Sequence, residues 1–176
     1  YFATFYGREH THQVFGFDEI IDLSKMDIDT MPTRFHDFTR DSDMFEVSMD
    51  QIAPTDESFF SFVTTVTGHG PYNYNYRLDE FYDQLNDEVL YGQMIDWMEN
   101  NTSYMFPEDE VMQEYFFNYK ATAMDLDLAL ERLLNHLEEN NMKDNTSIFF
   151  YSDHYAYYHG LSFSMKGIDE DDVNNP

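Results

Sequence analysis

The stretch Asn145-Thr-Ser-Ile-Phe-Phe-Tyr-Ser-Asp-His-Tyr155 decides how this chain is read. Its middle, Ser147 to Tyr151, is short and apolar, as in a buried strand. It ends by delivering Ser152, Asp153 and His154. Immediately before it lies the clearest periodic segment of the sequence. From Glu110 to Glu139, Phe116, Tyr119, Ala123, Leu126, Leu130, Leu133 and Leu137 recur at steps of three and four. That spacing predicts one long helix with an apolar stripe, leaving Asp125, Asp127, Glu131 and Arg132 off it. Asn140-Asn141 and Asp144-Asn145 close the helix.

Working toward the N-terminus, Phe59-Phe-Ser-Phe-Val-Thr-Thr-Val66 is the other strong strand candidate. It is aromatic and β-branched with little alternation, which predicts cover on both faces. It runs into Thr67-Gly-His-Gly-Pro-Tyr72, where two glycines and a proline predict a tight loop. A strand, a crossover helix and a second strand form a right-handed parallel unit. The expected fold is therefore α/β, a mainly parallel sheet flanked by helices. In open parallel sheets ligands bind beyond the carboxyl ends of the strands. His69 and the Asp153-His154 doublet are both expected on that edge.

The remaining segments are less regular. Residues 1–6 read as a short strand, Gly7 to Phe17 as a polar loop and 24–40 as irregular. Asp41 to Ile52 reads as a short helix with Asp41 or Ser42 at its N-cap, ending before Pro54. Residues 73–112 are acidic and rich in Asn and Tyr, with only hints of helix at Leu85, Val89 and Met94. They are expected to be an insertion. The tail from Asp169 to Pro176 is acidic. Tyr1-Phe-Ala-Thr-Phe-Tyr6 looks like the inside of a strand, so the chain is expected to be a piece of a longer protein.

Composition bounds the function. The chain has 176 residues, 42% of them hydrophobic and 18% aromatic, enough to build a core. Against 35 Asp+Glu stand 9 Lys+Arg, a formal net charge of -26. A phosphate-backbone binder needs a basic face, so nucleic acid is excluded as a partner. Cations are favoured. With no cysteine, disulfide frameworks and thiolate metal sites are excluded. No apolar run approaches the roughly 20 residues of a membrane span.

Several side chains could carry chemistry. A carboxylate and an imidazole, as in Asp153-His154, suit Zn²⁺, Mn²⁺ or a related divalent cation. A loop-starting Asp beside a solvated His has the same sequence. His69, between Gly68 and Gly70, could meet a ligand at close approach and donate to a phosphate or sulfate oxygen. Its glycines could equally serve the turn alone. Arg8, His10 and His12 form a cationic cluster in a very acidic chain, and Arg8 presents a fork suited to tetrahedral oxyanions. Surface pairing is the ordinary alternative. His159 is a further candidate. His36 and His136 read as structural, the latter on the polar side of the long helix. The eleven methionines read as core filling.

Together these residues point to a family. The run Asn145 to Tyr155, behind Asp127-Leu-Ala-Leu-Glu-Arg-Leu-Leu134, resembles the sulfatase-like branch of the alkaline phosphatase superfamily. Phe62 to Tyr72 resembles the corresponding loop of lipoteichoic acid synthases and related phosphoglycerol transferases. Tyr6-Gly-Arg8, His12 and Gly16-Phe17-Asp18 are similar to that family's substrate loop, although a Trp is common where Tyr6 stands.

The resemblance implies an alkaline-phosphatase/sulfatase-like domain of which residues 1–176 are the C-terminal portion, the N-terminal half missing. It implies an enzyme on the extracytoplasmic face of the cell membrane. This would hold a divalent metal, Mn²⁺ above Zn²⁺ or Mg²⁺, and move glycerophosphate from an anionic phospholipid to an envelope polymer or glycolipid. Asp153 and His154 would be metal ligands. His69, Arg8 and, less directly, His12 would contact glycerophosphate. The family's threonine nucleophile and a metal-binding glutamate belong to the missing half, so none of Thr4, Thr64, Thr65 and Thr67 is assigned that role and no catalytic residue is placed in the chain. The other partners implied are that half and, through an exposed face, a second copy. The competing readings are a sulfatase or phosphoethanolamine transferase, a non-catalytic acidic binding module, and a surface cation buffer.

Overall fold

The structure is a computed structural model; it describes residues 7–26, 40–154, 156 and 160–168. Among these residues the regular structure is helical: α1 (Arg8–Val14), α2 (Asp41–Ile52), α3 (Asp79–Leu85), α4 (Glu88–Asn101), α5 (Glu110–Glu139) and α6 (Leu161–Met165). Short 3-10 turns stand at Tyr76–Leu78 and Lys143–Asn145.

The expected parallel sheet is not formed among the described residues. Residues 59–66 and 147–151 carry no strand pairing. Their side chains are largely exposed, Phe60 at 79% and Phe149 at 88%. The physical reason lies in what a parallel pair requires. Such strands need cover on both faces, and two short strands alone are marginal in water. The helix that would cover them, α5, instead packs on α2, α3 and α6. Gly7 to Phe17, expected as a loop, contains α1. The expected strand at 1–6 and the acidic tail from 169 lie outside the described residues, as do His36 and His159.

The 30-residue α5 organises the rest. Its start is fixed by Asp109, whose carboxylate accepts from the amides of Val111 (3.0 Å) and Met112 (3.1 Å). Its end is a Schellman closure. Asn141 adopts a left-handed φ of 56°, Met142 N donates to Leu137 O (2.7 Å) and Asn141 N to Glu138 O (3.1 Å). The expected helix therefore holds from cap to cap, but its buried face differs from the expected stripe. Asn118, Ala121, Thr122, Asp125 and Ala129 are buried, while Ala123 is exposed and Leu126, Leu130 and Leu133 are half-buried. Small and polar side chains let α2 approach closely, and α2 contributes Ser42, Phe45 and Ser48 to the same seam. His136, placed by the sequence on a polar side, bonds Ala53 O through Nε2 at 2.9 Å and ties the two helices together.

Two apolar clusters flank the N-terminal half of α5. Tyr72, Met98, Phe116, Leu161 and Met165 form one. Leu78, Phe81, Tyr82, Leu85 and Ala121 form the other, with Tyr82 stacked on Phe117 at 5.8 Å. Residues 73–112, with only hints of periodicity, thus supply α3 and α4 to the core. Asp87 caps α4 through the amides of Val89 (3.0 Å) and Leu90 (3.1 Å).

Candidate functional site

The loop Val66–Tyr72 carries His69 and is held at both ends. At its start, the Asp41 carboxylate accepts from Val66 N (2.8 Å) and Thr67 N (2.9 Å). Thr67 Oγ1 in turn accepts from Asp41 N (2.8 Å). At its end, Tyr72 is buried in the first cluster and its carbonyl accepts from Asn118 Nδ2 at 3.0 Å. Between these anchors His69 is exposed. Its amide donates to Val66 O (2.9 Å), closing the turn. Its Nδ1 donates to Gly70 O at 2.5 Å, the tautomer that leaves Nε2 as an acceptor in the neutral ring.

Below the loop lies a buried polar hub that sequence reasoning missed. Asp125 is 0% exposed. Its carboxylate accepts from Arg40 Nε (2.9 Å), Asp41 N (2.9 Å) and Ser42 Oγ (2.5 Å). Arg40 also pairs with Glu80 Oε1 at 2.5 Å, joining α3 to the hub. Asp41, expected as a cap of its own helix, instead begins α2 and turns its carboxylate onto the His69 loop. Burial pushes that carboxyl up to about 6 from 3.8, against the two amides that favour its ionised form and with Asp125 adding repulsion. The available signal was the polar and small series Asn118, Thr122, Asp125, Ala129, Arg132 and His136, which repeats at helical spacing as regularly as the leucines do.

The other site residues fall into two places. Arg8 opens α1 and is half-buried. His12 sits one turn on, its Nδ1 donating to Arg8 O (2.9 Å). The His12 ring lies 5.7 Å from Phe17 and 6.4 Å from Phe62, and Phe17 lies 5.8 Å from Phe60. These contacts seat the α1 region on the extended segment that leads to His69. Asp153 and His154 follow the second extended segment. Asp153 Oδ1 accepts from His154 N (2.9 Å), and Oδ2 lies 3.4 Å from His154 Nε2.

One oxygen and one nitrogen donor suit a divalent cation, but a held cation takes four or more ligands. Among the described residues no three His, Asp or Glu side chains converge to complete such a set. The doublet does not by itself fit a metal site.

This geometry can be set beside known proteins. A protein-family model, Sulfatase, matches residues 1–170, and the chain belongs to the sulfatase family. It is similar to lipoteichoic acid synthase 1 of Bacillus subtilis (strain 168), 25% identical over 95% of this chain and 22% of that protein. It is also similar to the lipoteichoic acid synthase of Staphylococcus aureus (strain USA300), 27% identical over 94% of this chain and 22% of that protein. A third relative is the lipoteichoic acid synthase of Staphylococcus saprophyticus, 22% identical over 98% of this chain and 23% of that protein. The chain thus spans about a fifth of the length of the curated relatives it matches. No solved structure gives a significant match. Among the described residues no helix is long and apolar enough to cross a membrane.

Proposed function

We propose that this chain is part of the catalytic domain of a lipoteichoic-acid-synthase-like phosphoglycerol transferase. The full-length protein takes glycerophosphate from an anionic phospholipid and hands it to an envelope polymer or glycolipid, on the extracytoplasmic face of the membrane. The observation that carries this reading is similarity to lipoteichoic acid synthases running through nearly the whole chain, across both the His69 loop and the Asp153-His154 doublet.

The chemistry supports it. In a chain of net charge -26 a phosphate group is repelled at long range. Binding then depends on local donors, and Arg8 and His69 are of the right type. Arg8 offers paired N–H groups to a tetrahedral oxyanion. His69, once protonated at Nε2, donates to a second oxygen. Asp153 and His154 supply two donors toward a divalent cation, Mn²⁺, Zn²⁺ or Mg²⁺. The remaining ligands and the threonine nucleophile are assigned outside these 176 residues.

The test uses the full-length protein in vesicles of phosphatidylglycerol, with diacylglycerol release as the readout. Expected is release that His69→Ala and Arg8→Ala each reduce at least tenfold. Cleavage of an aryl sulfate without diacylglycerol release would replace the reading by the sulfatase one. Release of phosphoethanolamine from phosphatidylethanolamine would replace it by the phosphoethanolamine-transferase one.

A further inference from the structure

We propose that Asp41 and Asn118 are positioning residues for His69, fixing the two ends of its loop from the buried faces of α2 and α5. The proposal rests on the reading of His69 as a glycerophosphate contact. Asp41 accepts both amides that open the loop, Val66 N and Thr67 N, at 2.8 and 2.9 Å. Asn118 donates to the carbonyl that closes it, Tyr72 O, at 3.0 Å. Both side chains are buried, Asp41 at 2% exposure and Asn118 at 4%. Their mutual placement is set by one rigid element. Asp125 receives the Asp41 amide, and it lies two turns from Asn118 on α5.

A loop with an exposed tip would ordinarily sample many positions, and a ligand would have to select one of them. Here the residues on either side of Gly68-His69-Gly70 are immobilised by a carboxylate below one end and an amide below the other. Neither side chain is needed to bury apolar surface. Through these bonds the polar groups at 41 and 118 act on the loop backbone. The freedom that the flanking glycines give the tip is confined to the imidazole itself.

Nuclear magnetic resonance on the 176-residue chain tests this, with Asp41→Asn and Asn118→Ala as variants and glycerol phosphate as the probe. Asp41→Asn keeps the shape but accepts from one amide rather than two. Expected are amide exchange at Val66 and Thr67 at least about tenfold faster, and broadened His69 ring resonances. Amides of Ala129 and Leu137 in α5 should keep their protection, showing that the fold is intact. Asn118→Ala should broaden the same His69 resonances from the other end of the loop, which keeps the test decisive should Asp41→Asn fail to fold. Unchanged His69 resonances and loop amides in a folded variant overturn the inference, whatever the probe does. A wild-type His69 ring that glycerol phosphate does not shift, with loop amides that loosen in the variants, overturns the ligand reading of His69 and upholds the clamp.

Discussion

The amide of Asp41 donates to the carboxylate of Asp125 across 2.9 Å, so two acidic residues meet in the interior of a chain that already carries a large negative charge. The contact is tolerated because Asp125 also receives Arg40 at 2.9 Å and Ser42 Oγ at 2.5 Å. A buried carboxylate satisfied in this way is costly to disturb from one side.

Replacing Asp125 by alanine removes the buried acceptor of Arg40 Nε and of the Ser42 hydroxyl together, leaving Arg40 its pair with Glu80. The expected loss is about 3–5 kcal/mol, a large share of the stability of a domain this size. Asp125→Asn keeps one acceptor and should lose roughly 1.5–3 kcal/mol. The exposed partner of Arg132, Glu46, at 2.8 Å, gives the contrast: Glu46→Ala should cost less than about 1 kcal/mol. Urea unfolding of the three variants measures this order, and equal losses for Asp125→Ala and Glu46→Ala would show that the hub is not formed.

Asp41 predicts a pH dependence with a definite sign. Its carboxyl titrates at about 6 in the folded chain against 3.8 ordinarily, mainly because it is buried. The charged groups around it are Arg40 beside it, Asp125 and Arg132 from α5, Glu46 further along α2 and Glu80 from α3. A raised carboxyl binds its proton more tightly in the folded state. The stabilisation is fully present below about 3.8 and disappears as pH rises through about 6. Wild type should therefore gain up to about 3 kcal/mol over Asp41→Asn between pH 7 and pH 4. Parallel unfolding curves at the two pH values measure the difference, and a wild type that loses stability relative to Asp41→Asn as pH falls contradicts the assignment.

The apolar clusters and the bare segments should respond in opposite ways. Phe116 is fully buried, 5.5 Å from Phe106 and beneath Lys120. Phe116→Ala should cost about 3–5 kcal/mol. Phe149, exposed over most of its surface, should tolerate Phe149→Ser within about 0.5 kcal/mol. Thermal melts of both variants decide it. A loss above about 2 kcal/mol at Phe149 would mean that the segment is packed in solution.

What could be read from the sequence follows from how each signal arises. The bounds of α5 and α2 were legible because helical period and terminal residues are local properties. The strands were not, because an apolar run specifies burial without naming its partner, and pairing is decided by the rest of a fold. The hub was hidden for a different reason. Asp125 lies off the apolar stripe when read on α5 alone, and its burial makes sense only with Arg40 and Ser42, more than eighty residues away, in place. Of the site, residue types were legible: the structure sets Arg8 and His12 on one short helix, seats that helix's region on residues 59–66 through Phe17, and clamps the His69 loop. Asp153 and His154 are adjacent in space as in sequence.

The doublet yields the last prediction. Two neighbouring donors at the surface provide too few bonds to displace the hydration shell of Mn²⁺, and Asp153 Oδ2 already lies 3.4 Å from His154 Nε2. Of the chain's 35 Asp+Glu side chains, all but Asp153 lie elsewhere and compete for the same ion. Titration calorimetry of Mn²⁺ into the 176-residue chain should show only weak binding, roughly 10⁻⁴–10⁻³ M or weaker, unchanged in the double variant Asp153→Ala/His154→Ala. With no complete site among the described residues, the chain alone should release no diacylglycerol from phosphatidylglycerol. A single tight site lost in the double variant would mean that the chain completes the coordination by itself, and turnover abolished by Asp153→Ala would place the chemistry within these residues.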